Sequence, residues 1–353
     1  MRRRNSFALT IGLALLAGCA GKPPAPEPPT LKTLANREIK VEPDRGVQRS
    51  EEAAALAYKD FLKAAPRDPH RQEALRRLGD LEMDRIDSRI AAGTAETADY
   101  RAAIARYQDY LKTYPNDPGN DRVLYQLARA YELSGQLETA LKTLDRLVEV
   151  YPQSRHRDEA QFRRGEMLFT LRQYAKAEQA FATTMRAGRD TPYYERSLYM
   201  HGWTLFKQGK LEEALGSFFA LFDLKLAGQG DADLESLPGL TRADREVVED
   251  TFRVTSLALE NLQGAATIPA YIDSPTRREY EFRVYQQLGE LYLKQDRIKD
   301  AADAFAAFAQ RQPLHARAPS MQARVIDIYS QGGFTTLALE AKKNYVARYG
   351  ARS

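Results

Sequence analysis

Gly202-Trp203-Thr204-Leu205-Phe206-Lys207-Gln208-Gly209-Lys210-Leu211-Glu212-Glu213-Ala214-Leu215-Gly216-Ser217-Phe218 is the segment from which the fold follows. Apolar residues recur at helical spacing on both sides of Gly209, which predicts two short helices joined by a tight turn. The pattern repeats along the chain. Ala103, Ala140, Ala177 and Ala214 are each 37 residues apart. Four residues after each stands a large apolar side chain: Tyr107, Leu144, Phe181 and Phe218. Twelve residues before the last three alanines come Ala128, Gly165 and Gly202, each followed three residues later by Tyr131, Leu168 and Leu205. Pro115 and Pro152 fall twelve residues after Ala103 and Ala140 and end those helices, because proline lacks the N–H that would continue them.

Two helices of a hairpin approach closely only where one presents a small side chain to the other. Ala or Gly at the contact lets the axes come together, and the large side chain one turn on fills the space beside it. No hairpin of this size buries its apolar stripe alone, so neighbours must stack. Strand-like alternation is scarce, and Ala, Leu, Arg, Glu, Gln and Lys dominate the composition.

With these residues in view, the chain resembles the tetratricopeptide repeat family. Gly202 to Phe218 is close to its core motif. Leu127-Ala128 through Tyr131 and Gly135 to Ala140 is a second match, and Leu288-Gly289 through Tyr292 to Ala301, Phe305 and Pro313 a third. The resemblance implies an all-α, right-handed superhelical solenoid of antiparallel helix hairpins over most of residues 51–350. The period of 37 departs from the family's 34. Arg189 and Leu226 stand where prolines are expected. Ala57, Phe61 and Pro69 mark a second helix without a clear first one. Gly79 opens a repeat whose second helix is delayed to Ala103 by about twelve extra residues around Ile86 to Ala98. Residues 227–281 break the rhythm: a loop about Asp231 and Asp233, one helix from Thr241 to Leu262 with Thr241 as N-cap, and a short piece from Ala265 to Tyr271. The last pair runs from Pro319 to Ser330 and from Phe334 to Tyr349, with no polar capping helix after it. The expected organisation is therefore 1–18, 19–50, a repeat array over 51–226, an enlarged or irregular hairpin over 227–281, and C-terminal repeats over 282–353.

The start of the chain has a different character. Arg2, Arg3 and Arg4 precede a short apolar run, Phe7 to Leu16, and Leu16-Ala17-Gly18-Cys19 closes it. The run is too short to span a bilayer, which takes roughly 20 residues, and the pattern is that of a secretory signal peptide. A cysteine after Leu-Ala-Gly resembles the lipobox of bacterial lipoproteins. That resemblance implies cleavage before Cys19, a diacylglyceryl thioether on its sulfur and acylation of the new amino terminus. Ala20 rather than Asp after it implies sorting to the outer membrane in enteric-type bacteria. Pro23, Pro24, Pro26, Pro28 and Pro29 favour extended polyproline geometry in residues 19–50, a tether reaching at most ~90 Å at ~3.1 Å per residue.

Composition excludes much. The 353 residues carry a formal charge of +4, and removal of residues 1–18 takes three arginines and no acid, leaving +1. Nucleic-acid binders concentrate basic charge, so none is expected as a partner. Cys19 is the only cysteine, so its lipidation leaves no thiol for a disulfide, a metal or a nucleophile. None of the four histidines, His70, His156, His201 and His315, has a second histidine at helical ligand spacing. Asp231, Asp233 and Glu235 lack the spacing of a calcium loop. No phosphate-cradling loop or nucleophile elbow is present. No cofactor and no enzyme activity are expected.

A binding face is expected instead. First helices line the concave side of such an array. The residues that would face the groove are Arg122, Tyr125, Arg129 and Glu132 on one helix, Phe162, Glu166 and Phe169 on the next, and Tyr199, Trp203 and Phe206 on the third. Aromatics flanked by Arg and Glu suit a protein partner, although the same rings would also fill space between stacked repeats. The Lys and Asn arrangement of a carboxylate clamp is absent. The resulting expectation is an outer-membrane-anchored, periplasm-facing lipoprotein that scaffolds protein partners in a cell-envelope complex. It resembles the helical-repeat subunit of the β-barrel assembly machine, coordinators of cell-wall synthesis, and envelope proteins of energy-transduction or gliding systems. The long tether and the insertions depart from the barrel-assembly subunit. The alternative is a component that binds glycan or exopolysaccharide in an export or cell-wall pathway.

Overall fold

The computed structural model describes residues 46–93, 99–230 and 239–350. Glu52–Ser353 form one compact unit. The signal peptide, Cys19, the proline-rich tether up to residue 45, the end of the first insertion and the acidic loop at 231–238 lie outside the described residues.

All regular structure among the described residues is helical. The helices are α1 (Gly46–Ala64), α2 (Arg71–Ala91), α3 (Arg101–Thr113), α4 (Asn120–Leu133), α5 (Leu137–Val150), α6 (Arg157–Thr170), α7 (Tyr174–Arg186), α8 (Tyr194–Lys207) and α9 (Leu211–Leu226). After them come α10 (Arg242–Glu260), a 3-10 segment (Gly264–Tyr271), α11 (Pro275–Lys294), α12 (Ile298–Arg311), α13 (Ala318–Gln331) and α14 (Thr335–Tyr349). Successive helices pack on one another, and first helices also touch the first helix of the next hairpin. The expected all-α solenoid of antiparallel hairpins is the architecture found. None of the helices is long and apolar enough to cross a membrane.

The spacing of small residues does what close packing requires. Ala103, Ala140, Ala177, Ala214 and Ala301 are completely buried. A Cβ on Gly79 would lie 2.7 Å from the Tyr107 ring, and one on Gly165 would lie 2.6 Å from the Phe181 ring. Gly202 and Gly289 face Phe218 and Phe305 in the same way. In α5 the stripe Ala140, Leu141, Leu144 and Leu147 is buried, and each leucine removed from water contributes roughly 1.5–3 kcal/mol before entropy is counted.

The turn inside each hairpin needs one residue with positive φ. Gly135, Gly209 and Gly333 supply it at φ 75–77°, but Arg172 and Asp296 hold the equivalent places at φ 57° and 59°. In each such turn the residue after the left-handed one donates its N–H back five residues, as Gln136 does to Tyr131 and Gln173 to Leu168. These bonds satisfy carbonyls left open at the helix end.

The interruptions are local. Much of the first insertion lengthens α2, which runs to Ala91 before the second helix begins at Arg101. At α10 the Thr241 side chain accepts from the Asp244 N–H while the Asp244 carboxylate accepts from Thr241, a complete capping box. The second helix of that hairpin is replaced by the eight-residue 3-10 segment, which contains Pro269.

Candidate protein-interaction face

The first helices α4, α6 and α8 present the residues predicted to face a groove, and the structure divides them into two kinds. Phe162 is 2% exposed. Its ring lies 5.9 Å from that of Phe181 and stacks on Tyr193 at 5.5 Å, with the Arg196 guanidinium 4.5 Å from its centroid. Tyr125 is buried as well, stacked on His156 at 4.6 Å with its hydroxyl donating to Glu159. Placing these two on an open groove is therefore corrected: the neighbouring repeat covers them, because first helices touch across each junction and a large ring at the junction becomes core.

The polar residues of the face form a ladder between repeats. Arg122 pairs with Asp80 at 2.9 Å, Arg129 with Asp87 at 3.7 Å, Glu132 with Arg163 at 3.1 Å and Glu166 with Arg196 at 3.1 Å. Burial pushes the Glu166 carboxyl above its ordinary value despite the nearby Arg196 and Arg163. Glu159 goes the other way. Burial raises it, but hydrogen bonds from Tyr125, Tyr193 and Arg163 outweigh that and hold it below the usual range. The ladder joins successive first helices and leaves each charge partly in water, where a single pair contributes about 0–1 kcal/mol.

Phe169 is half-buried and meets the Tyr174 ring edge-on at 5.3 Å. Trp203 and Phe206 are also half-buried, edge to face at 5.7 Å. Trp203 and Tyr199 are drawn together by a residue from outside the regular repeats. The Trp203 indole N–H donates to Asp250 of α10 at 3.1 Å, and the Tyr199 hydroxyl donates to the same carboxylate oxygen at 2.6 Å. Arg253 closes on the other oxygen at 2.9 Å and lies 5.4 Å from the Trp203 ring centroid, with Lys207 at 5.5 Å. Burial and the Asp250 charge push the Tyr199 phenol up to about 12.

The predicted residues thus form a continuous band along the first helices, with two of them sunk beneath it. Asp250 escaped sequence reasoning because α10 lies outside the 37-residue register, so no spacing pointed to it. What remains accessible is a half-exposed strip of paired Arg and Glu side chains with Phe169, Trp203 and Phe206. Such a strip can make charge-complementary and edge-on aromatic contacts. Among the described residues no group of three or more His, Cys, Asp or Glu is placed to hold a metal ion.

A tetratricopeptide-repeat family model matches residues 91–158, and a second one matches residues 125–192. Among solved structures the chain is similar to a crystal structure of MamA at 21% identity, covering 51% of this chain and 91% of that one, with a TM-score of 0.39. A tetratricopeptide repeat protein from Parabacteroides merdae ATCC 43184 is similar at 17% identity, covering 80% and 93%, with a TM-score of 0.41. The structure of Naa15/Naa10 bound to HypK-THB is similar at 15% identity, covering 86% and 41%, with a TM-score of 0.44. No curated protein matches the chain. Residues 91–192 carry tetratricopeptide repeats, which generally serve as non-catalytic scaffolds for protein–protein interaction.

Proposed function

We propose that this chain, with its tetratricopeptide repeats over residues 91–192, is a lipid-anchored scaffold that holds protein partners at the periplasmic face of a bacterial outer membrane. The anchor rests on one observation. The only cysteine of the chain, Cys19, follows Leu16-Ala17-Gly18 directly, behind three arginines and a short apolar run. The choice of a protein over a glycan partner is supported by the general use of tetratricopeptide repeats as protein scaffolds and by the Arg and Glu side chains that run along the same face. Proline-rich residues between Cys19 and α1 would let the repeats stand off the bilayer.

The test is metabolic labelling with palmitate. Wild-type chain takes up label and runs at mature size, whereas Cys19→Ser stays uncleaved and unlabelled because the thioether needs sulfur. Normal maturation of Cys19→Ser overturns the anchor. Crosslinking in the native envelope tests the scaffold separately, with stoichiometric protein partners as the expected result.

A further inference from the structure

Glu82 breaks the pattern of its own repeat. It stands three residues after Gly79, the place that Tyr131, Leu168, Leu205 and Tyr292 hold after Ala128, Gly165, Gly202 and Gly289. Those four side chains belong to the buried core. Glu82 is buried to the same degree, 4% exposed, but it carries a carboxylate. Its Oε1 lies 3.4 Å from the Lys59 Nζ of α1. Its Oε2 accepts no hydrogen bond, and the Arg106 Nε of α3 is 4.0 Å away from it. A buried carboxylate is costly unless its charge is paired and its oxygens are hydrogen-bonded. Glu82 meets only the first condition.

The helix that reaches Glu82 is held on one side. Among residues 51–64, α1 buries none, whereas α14, of similar length, buries Ala338 and Ala341. In the repeat pattern Ala57 corresponds to Ala103, Ala140, Ala177 and Ala214. Those four are completely buried and Ala57 is exposed. No helix precedes α1 among the described residues to cover that side. Leu56 beside it is 63% exposed. Toward the array, Leu62 packs against the core, its carbonyl accepts from Arg71 Nη1 at 2.6 Å, and Lys59 pairs with Glu82.

We propose that α1 is a strap that closes against α2 at Glu82 and opens independently of the rest of the array, with Glu82 keeping the two states near balance. Closed, the Lys59–Glu82 pair holds α1 down while one carboxylate oxygen goes unsatisfied. Open, water reaches both oxygens, and their hydration offsets the loss of the pair. An apolar residue at this position, as the other repeats carry, would favour closure throughout. Opening frees the α1 side of α2 for another surface and leaves every later hairpin intact.

Hydrogen exchange of the full chain, read by mass spectrometry, tests this. Protection factors in residues 52–64 are expected to be at least about tenfold lower than in α4 to α7. Lys59→Ala should lower them further by at least about threefold, and only in α1, because Glu82 then has no partner on the strap. Glu82→Leu should raise them by at least about threefold, since it replaces a half-satisfied charge with the kind of residue the other repeats bury here. Equal protection of α1 and α4, no change in Lys59→Ala, or no gain in Glu82→Leu overturns the proposal. Neither variant touches Cys19 or the Trp203 band, so the outcome is separate from the tests of the anchor and of the scaffold.

Discussion

The ring of Phe181 stands where a side chain on Gly165 would have to be: its Cε1 lies 2.6 Å from the position of a Cβ there. The first and second helices of that hairpin are this close because one offers no side chain and the other offers a flat one. Gly79 and Tyr107 repeat the relationship at 2.7 Å. These contacts set the separation of each helix pair, and with it the register in which the ion-pair ladder can form.

Gly165→Ala is expected to destabilise the chain although alanine is the better helix former. Overpacking costs roughly 1–3 kcal/mol, against a propensity gain of about 1 kcal/mol. Gly216→Ala in α9 is the control. That glycine is exposed with nothing within 4 Å of a Cβ, so the substitution should stabilise by about 0.5–1 kcal/mol. Urea denaturation of both variants checks the opposite signs, and a gain in both would mean that the Gly165 contact has slack.

Arg172→Gly should stabilise by about 1 kcal/mol, since a non-glycine residue in the left-handed region is strained by roughly that much. Asp296→Gly should gain less, because aspartate tolerates this region better. Thermal melts of the two variants measure the difference directly.

Phe162→Ala should cost about 3–5 kcal/mol, the range for a fully buried aromatic. Phe169→Ala, at the equivalent face but half-buried, should cost clearly less. If both cost the same in chemical denaturation, Phe162 is not the core residue that its burial indicates.

Acid should loosen the contact between α8 and α10. Burial raises the Asp250 carboxyl, but hydrogen bonds from Tyr199, Arg253 and Trp203 outweigh it and hold the folded value below the ordinary 3.8. A carboxyl with a depressed folded value stabilises fully above its unfolded value and loses that contribution as pH falls through the folded one. Trp203 is the sole tryptophan, so its fluorescence reports on this site alone. Emission should hold steady down to about pH 4 and change below it, and Asp250→Asn should lack that step. An identical acid limb in Asp250→Asn would remove Asp250 as its cause.

The hairpin pairing was legible because it depends on local chemistry. Ala140 and Gly165 are small where helices must touch, and Thr241 and Asp244 cap the helix behind them. The state of the face residues was not legible in the same way. Spacing put Phe162 and Phe169 on one side of α6, but only the lean of the neighbouring repeat decided that the first is sealed and the second is not. Asp250 carries no periodic signal at all.

By itself the chain of residues determined helix against strand, the positions of the turns, and which small side chain meets which ring. All of these are settled within a few dozen residues by hydrogen-bonding periodicity and side-chain volume. Only the tertiary structure decided which rings are reachable, that Asp250 draws Tyr199 and Trp203 together, and that a short 3-10 segment stands where a full second helix would continue the pattern. Those outcomes depend on how rigid helices of unequal length stack, a property of the assembled unit that no single segment encodes.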